Sequence, residues 1–380
     1  MRKKKGVKNK AIKYRLYPTI EQEIYFSKCF GCCRKIWNLM LCDREKSYKE
    51  TGKAVKNTPA SYKSEYPYLK KVDSLALANV YLDLELAYKS FFNKKSGYPK
   101  FKSLKKSRKS YTTNNQNGTI AITDNAIKLP KIGLVEAKIH RQPKSNWKLK
   151  SATISQTKND LYYVSVIFEY EENIDKTTNF DNCIGLDYKS DGFYKDSNND
   201  VGTDHKFYRE SHKKLAKEQR RLARKIGFKK NEKKSNNYLK QLKKVNKIYR
   251  HIVNQRLDNL HKISTEIANQ YDVVCVESLN MRNMSNKSFG NGKATMDNGY
   301  GMFLKFLDYK LNDRGKYLIK VNKWYPSSQI CSVCGKLHPE MKDLSKKIMV
   351  CNCGNIIDRD LNAAINIKRE GLRLLKEMVA

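Results

Sequence analysis

Two short cysteine pairs tie the C-terminal part of the chain to a single point. Cys331 and Cys334 form a C-x2-C pair, Cys351 and Cys353 a C-x-C pair, and 16 residues lie between them. A glycine follows each pair, Gly335 and Gly354, so each reads as a tight turn. Four thiolates brought together on two turns make the tetrahedral site of a structural Zn2+. Such a site folds a small module, because metal binding supplies folding free energy. The second pair is one residue shorter than usual, and His338 is available as a substitute ligand. A second cysteine set, Cys29, Cys32, Cys33 and Cys42, lies in a helical pattern among Phe26, Phe30 and Trp37, and reads as buried free thiols. The remaining two cysteines sit singly in apolar strands. This usage suits a reducing compartment, so the expectation is cytoplasmic.

Charge narrows the function. The 380 residues carry 77 Lys and Arg against 38 Asp and Glu, a formal net charge of +39. A chain so basic repels itself unless a polyanion sits against it. Its 24 tyrosines often stand beside Lys or Arg, as in Lys13-Tyr14-Arg15, and such pairs hold phosphates and stack on bases. A small basic housekeeping protein would share the charge but not ordered acidic motifs. No stretch approaches the roughly 20 apolar residues of a membrane span. The basic N-terminus, Met1–Gly6, lacks the apolar core of a signal peptide and reads as an arm.

The pattern along the chain changes three times. Residues 11–18 alternate as a strand closed by Pro18, and then apolar positions recur at helical spacing from Glu21 to Lys49 and from Ser74 to Phe92. Residues 97–109 are basic and read as a linker. From Ser110 to Tyr170 come short strands, with a hairpin of 151–156 and 162–168 suited to a small antiparallel sheet or barrel. The third region opens with Cys183-Ile-Gly-Leu-Asp187. Residues 206–250 then hold 18 Lys or Arg and three acids, and read as two helices with a phosphate-binding face and a loop at 225–235. A strand, Val273-Val-Cys-Val-Glu277, precedes a Gly-, Asn- and Ser-rich segment, 281–298, which reads as mobile and as a candidate lid. A helix near 301–312, a strand at 317–324 and a final helix from about Asp360 complete the chain.

Three acids stand out in so basic a chain. Asp187 and Glu277 end apolar strands, and Asp360 opens a helix beside Asp358 and Arg359. Any one of them could be the first residue of a loop. Their order, strand-Asp, basic helices, strand-Glu, helix-Asp, is that of the RNase H-like fold. Carboxylates gathered in this way hold two Mg2+ or Mn2+ ions for phosphodiester cleavage.

Together these motifs resemble the TnpB proteins of bacterial transposons, relatives of the type V CRISPR effectors. The residues that carry the resemblance are Gly185-Leu-Asp187, Val273-Val-Cys-Val-Glu277-Ser-Leu-Asn280, Ser327-Ser-Gln-Ile-Cys331-Ser-Val-Cys334-Gly, and Cys353-Gly-Asn-Ile-Ile-Asp358-Arg-Asp360-Leu-Asn-Ala-Ala-Ile-Asn366. Tyr14-Arg-Leu-Tyr-Pro18 and the Gly31–Leu39 helix extend it towards the N-terminus. Ser278, where many relatives have a second acid, and the C-x-C pair depart from the pattern.

The resemblance implies an α+β multidomain chain. A β-barrel-like wedge domain (1–19 and 104–175) is interrupted by a helical recognition lobe (20–103). A RuvC-like, RNase H-like nuclease domain (176–325 and 357–380) contains an inserted zinc ribbon that binds target nucleic acid (326–356). It also implies an RNA-guided DNA endonuclease that cuts next to a short flanking motif. Asp187, Glu277 and Asp360 would be catalytic and hold two Mg2+ or Mn2+, while Cys331, Cys334, Cys351 and Cys353 would hold one structural Zn2+. The implied partners are a guide RNA from the transposon end, double- and single-stranded target DNA, and a transposase encoded nearby. The alternatives are a nuclease-inactive RNA-guided repressor and a non-catalytic zinc-ribbon RNA-binding protein. Loss of an acid would mark the first, and all three are present.

Overall fold

A computed structural model describes residues 6–203, 205–226, 234–286 and 292–380. The basic arm at 1–5, most of the expected 225–235 loop and the middle of the 281–298 segment lie outside the described residues. The chain divides into two compact units, Met1–Asn173 and Ile174–Ala380.

In the first unit, strand β1 (Val7–Leu16) leads into helix α1 (Ile20–Thr51) and helix α2 (Ser74–Phe92). Thr19 starts α1 with a capping box: its side chain accepts from Gln22 N, and the Gln22 side chain accepts from Thr19 N. Gly52, at φ 70°, ends the helix in the left-handed conformation that glycine adopts without strain. Strands β2 (Lys109–Asn114), β3 (Ala121–Ile122), β4 (Ala126–Leu129), β5 (Gly133–Lys138), β6 (Lys148–Gln156) and β7 (Tyr162–Glu171) follow. With β1 they form one antiparallel sheet in the order β2-β6-β7-β1-β5-β4-β3. Alternation along β7 buries Tyr162, Val164, Val166, Phe168 and Tyr170, while the residues between them stay half-exposed. Phe26 and Phe30 of α1 pack on this sheet, with ring centroids 5.6 Å (Phe26–Tyr162) and 5.8 Å (Phe30–Tyr111) apart. Residues 97–109 do more than link. The Lys100 carbonyl accepts from the Trp37 indole N–H at 3.0 Å, and Lys102 exchanges two hydrogen bonds with Asn38.

The second unit begins with β8 (Cys183–Lys189) and β9 (Phe193–Asp196), then helices α3 (Phe207–Ala223) and α4 (Asn236–Gln270). Strand β10 (Val273–Glu277), helices α5 (Met281–Met284), α6 (Gly292–Asn298) and α7 (Tyr300–Asn312), and strand β11 (Tyr317–Val321) continue it. A hairpin, β12 (Ile348–Val350) and β13 (Ile356–Asp358), runs directly into helix α8 (Arg359–Val379). The sheet order is β11-β10-β8-β9, with β10 parallel to both neighbours and β9 antiparallel to β8.

Both faces of this sheet are covered. Ile184, Leu186, Val274 and Val276 pack with Leu260, Ile267, Phe303 and Leu307 from α4 and α7. Cys183, Val273 and Cys275 pack with Ile367 and Leu375 from α8. Strands buried on both faces explain the continuous apolar runs in the sequence. Helix α8 approaches very closely at Gly185, where a Cβ would stand 2.2 Å from the Ala364 carbonyl oxygen. Among the described residues no helix is long and apolar enough to cross a membrane.

Candidate functional site

Strand alternation decides where the acids go. Residues 183, 185 and 187 share one face of β8, and 273, 275 and 277 share one face of β10. Cys183, Val273 and Cys275 show that this is the face α8 covers. Strand β10 pairs in parallel with β8 up to Val276 and Leu186, and Glu277 and Asp187 come next on each strand. Asp360 stands in the first turn of α8, the helix laid across them. Asp358 caps that helix, accepting from Asp360 N at 3.0 Å and Leu361 N at 2.9 Å.

The electrostatics join the three carboxylates. Enclosure by protein pushes the Asp187 carboxyl well above the usual range, and the neighbouring Glu277 and Asp360 carboxylates add to the effect. Arg359 and Lys189 oppose it. Burial also raises Glu277. Lys189 Nζ bonds Asp360 Oδ2 at 3.0 Å, and this bond holds the ammonium above its ordinary pKa. Carboxylates near enough for Glu277 and Asp360 to raise Asp187 are oxygen donors whose repulsion a divalent cation would relieve.

Tyr300 carried no signal in the sequence. It is fully buried at the start of α7, Asp187 and Glu277 help to raise its phenol, and its hydroxyl has no hydrogen-bond partner among the described residues. Asp297 was equally silent. Its buried carboxylate accepts from Tyr208 N and Arg209 N at 3.0 and 3.2 Å, at the start of α3, and pairs with Arg209 and Arg256. The described end of the 281–298 segment is a helix, Gly292–Asn298, bonded through Asp297 to α3 and α4. Gly, Asn and Ser mask a single buried acid whose partners lie 41 and 88 residues away.

The four cysteines near the C-terminal end do converge. Cys331, Cys334, Cys351 and Cys353 place their ligand atoms within 4.8 Å of one another. Sγ–Sγ distances of 3.7 Å (Cys331–Cys353) and 3.5 Å (Cys334–Cys351) are close to the roughly 3.8 Å edge of a tetrahedron with Zn–S bonds of about 2.3 Å. Gly335 and Gly354 adopt φ 76° and 87°, as the turns require. The donor set suits a structural Zn2+. His338 lies outside this cluster of ligand atoms, and its Nδ1 is 2.9 Å from Glu340 Oε1. Cys29, Cys32 and Cys33 are buried in the core of the first unit, whereas Cys42, expected to be buried with them, is half-buried and outside that core. Cys183 and Cys275, single in the sequence, lie with sulfurs 3.7 Å apart on neighbouring strands.

Residues 300–367 match a family model described as a Cas12f1-like TNB domain, 8–53 one described as a helix-turn-helix domain, and 165–288 one described as "Probable transposase". A protein of Streptomyces pristinaespiralis, provisionally named an RNA-guided DNA endonuclease, is 30% identical over 378 residues, covering 96% of this chain and 89% of the relative. InsQ of Escherichia coli K12, named in the same way, is 28% identical over 386 residues, covering 96% and 93%. A solved complex of Cas12f1 with sgRNA and target DNA matches in fold, with a TM-score of 0.62 at 15% identity, covering 96% of this chain and 99% of that one.

Proposed function

We propose a mechanism from a plain premise: the chain belongs to the TnpB family of RNA-guided DNA endonucleases. Its activity is RNA-guided cleavage of DNA. In our reading a RuvC-like centre made of Asp187, Glu277 and Asp360 does the cutting. The observation that carries this is the convergence of β8, β10 and the start of α8 on one face of one sheet, with their carboxylates electrostatically coupled. The order β11-β10-β8-β9 supports the RNase H-like assignment, because an acid-bearing strand with one parallel and one antiparallel neighbour is its central feature.

The three carboxylates would hold two Mg2+ or Mn2+ ions, which when bound supply an activated water and charge relief at the leaving oxygen. Asp187 and Glu277 offer their oxygens from a rigid sheet, so little reorganisation is needed to accept the ions. Lys189, bonded to Asp360 Oδ2 at 3.0 Å, would hold that carboxylate in place for the ions. The basic faces of α3 and α4 would hold the backbone of a guide–target heteroduplex, leaving sequence to base pairing. The first unit, in this reading, is a wedge (1–19 and 104–175) interrupted by a recognition lobe (20–103) that meets the flanking motif. Residues 176–325 and 357–380 form the nuclease domain, with the zinc ribbon at 326–356. A guide RNA and target DNA are the partners, and a reducing cytoplasm suits the thiols.

Asp187→Asn should abolish Mg2+-dependent cutting, by at least about 10^3-fold, while guided target binding persists. Cleavage assays paired with gel-shift binding check this. Normal cutting by the variant would remove the assignment. Binding with no cutting by the unsubstituted chain would favour a repressor.

A further inference from the structure

Helix α8 carries a polar stripe that helix–sheet packing does not need. Asn362, Asn366 and Arg369 share one helix face at i, i+4 and i+7, and both asparagines are fully buried. Burying an amide costs free energy unless it is paired. Both amide nitrogens and the Asn362 Oδ1 pair with the backbone around the first cysteine turn, while Asn366 Oδ1 has no partner among the described residues. Asn362 Oδ1 accepts from Ser332 N at 2.9 Å, and its Nδ2 donates to Ile330 O at 2.7 Å. Asn366 Nδ2 donates to Ser327 O at 2.8 Å and Ile330 O at 2.6 Å, and Arg369 donates to Ser332 O at 2.7 Å.

The second cysteine turn reaches the same helix through the chain itself. From Cys351 and Cys353 the backbone passes along β13 to Asp358, the cap that fixes the first turn and Asp360. Arg359 N donates to Lys347 O at 2.8 Å, joining this turn to β12's approach. The connections close a ring: first cysteine turn, asparagine stripe, first turn of α8, Asp358, β13, second cysteine turn. The gap left in the ring is the four sulfurs. The rest of α8 is held elsewhere, by its close approach to the sheet at Gly185 and Gly371.

We infer that the zinc module is a strut for the third carboxylate: the Zn2+ and the Asn362–Asn366–Arg369 stripe together set the position of Asp360, and the stripe residues are positioning residues. The inference rests on the reading of Asp360 as a ligand of the catalytic ions. Opening the ring at the sulfurs or at the asparagines should loosen the same helix turn and weaken cation binding in the same way.

The test uses the full chain with its guide RNA and target, and follows Mn2+ binding by electron paramagnetic resonance beside zinc content and thermal melting. An Asp187→Asn complex gives the background from ions on the nucleic acid. Asn366→Leu should keep its zinc and stay folded with a modestly lowered melting temperature, yet raise the Mn2+ dissociation constant about tenfold. Zinc removal with the chelator TPEN, dialysed away before the titration, should raise the same constant while loosening the module, and Zn2+ add-back should reverse both. Wild-type Mn2+ affinity in both the folded variant and the zinc-stripped chain overturns the inference. An unsubstituted chain that shows no Mn2+ component above the Asp187→Asn background fails the acid reading instead. If Asn366→Leu does not fold, the zinc-removal arm decides alone.

Discussion

Each half of the molecule gathers four cysteines, and the two groups serve opposite ends. Cys29, Cys32 and Cys33 lie inside the first unit, where α1 meets the antiparallel sheet. Burial pushes the Cys29 thiol up to about 11 and raises Cys33 further. Thiols held neutral in this way behave as small hydrophobes. In the second unit Cys331 and Cys351 are buried but Cys334 and Cys353 face solvent, and the module around them has a small core of its own. Its core is Cys331, Met341, Met349 and Cys351, with Ile357 against it. So few apolar side chains do not hold a fold of this size without a staple. Sequence crowding brings thiols near one another in both places, but only the glycine-bearing turns aim them at a common point.

The comparison breaks most visibly at Cys331. Replacing Cys331 by Ser should release zinc and unfold the module, because apparent zinc-binding energies of about 10–16 kcal/mol are folding energy in such sites. Zinc content and proteolysis within 326–356 would report it, with the first unit's melting unchanged. Retention of zinc by the variant would mean that three thiols suffice. A smaller effect is expected from thiol labelling of the native chain at pH 8. Cys29 and Cys33, neutral and enclosed, should stay unmodified by iodoacetamide, while Cys334 and Cys353 should react once zinc is chelated. Mass spectrometry of the labelled peptides separates the two groups. Fast modification at Cys33 would show that the first unit opens locally.

The same contrast shows how much was legible in the sequence. Periodicity set out α2 to the residue and α1 within two, because their burial follows the local 3.6-residue repeat. The cysteine turns were legible because each carries a local signature, a glycine after a thiol pair, and the proposed acids were singled out on signals as local: an acid closing an apolar strand or opening a helix. The pairing of β1 with β7 was not, since it joins Val7 to Glu171 and Leu16 to Tyr162 across most of the unit. Asp297 and Tyr300 were missed, and Asn362 and Asn366, quoted only as part of the last motif, were given no role, for one reason. Each is a lone residue of common type whose partners are distant in sequence, and only the assembled unit buries it.

Two small perturbations test whether the N-terminal thiols depend on packing alone. Cys33→Ala should cost about 1–2 kcal/mol, the loss of one buried sulfur and the cavity it leaves, with no change in bound metal. Urea unfolding gives the free energy, and a much larger loss would point to a role beyond filling space. Thr19→Ala should cost least, about 1 kcal/mol, by removing the capping box at the start of α1. Thr19 is exposed, so the loss would come from the unsatisfied Gln22 N–H and not from the core. The helix should stay docked through Phe26, Phe30 and Trp37, and Cys29 should remain unlabelled. If Thr19→Ala left Cys29 open to iodoacetamide, the burial of these thiols would depend on the helix end. The first unit would then share with the zinc module the reliance on a local clamp that separates them here.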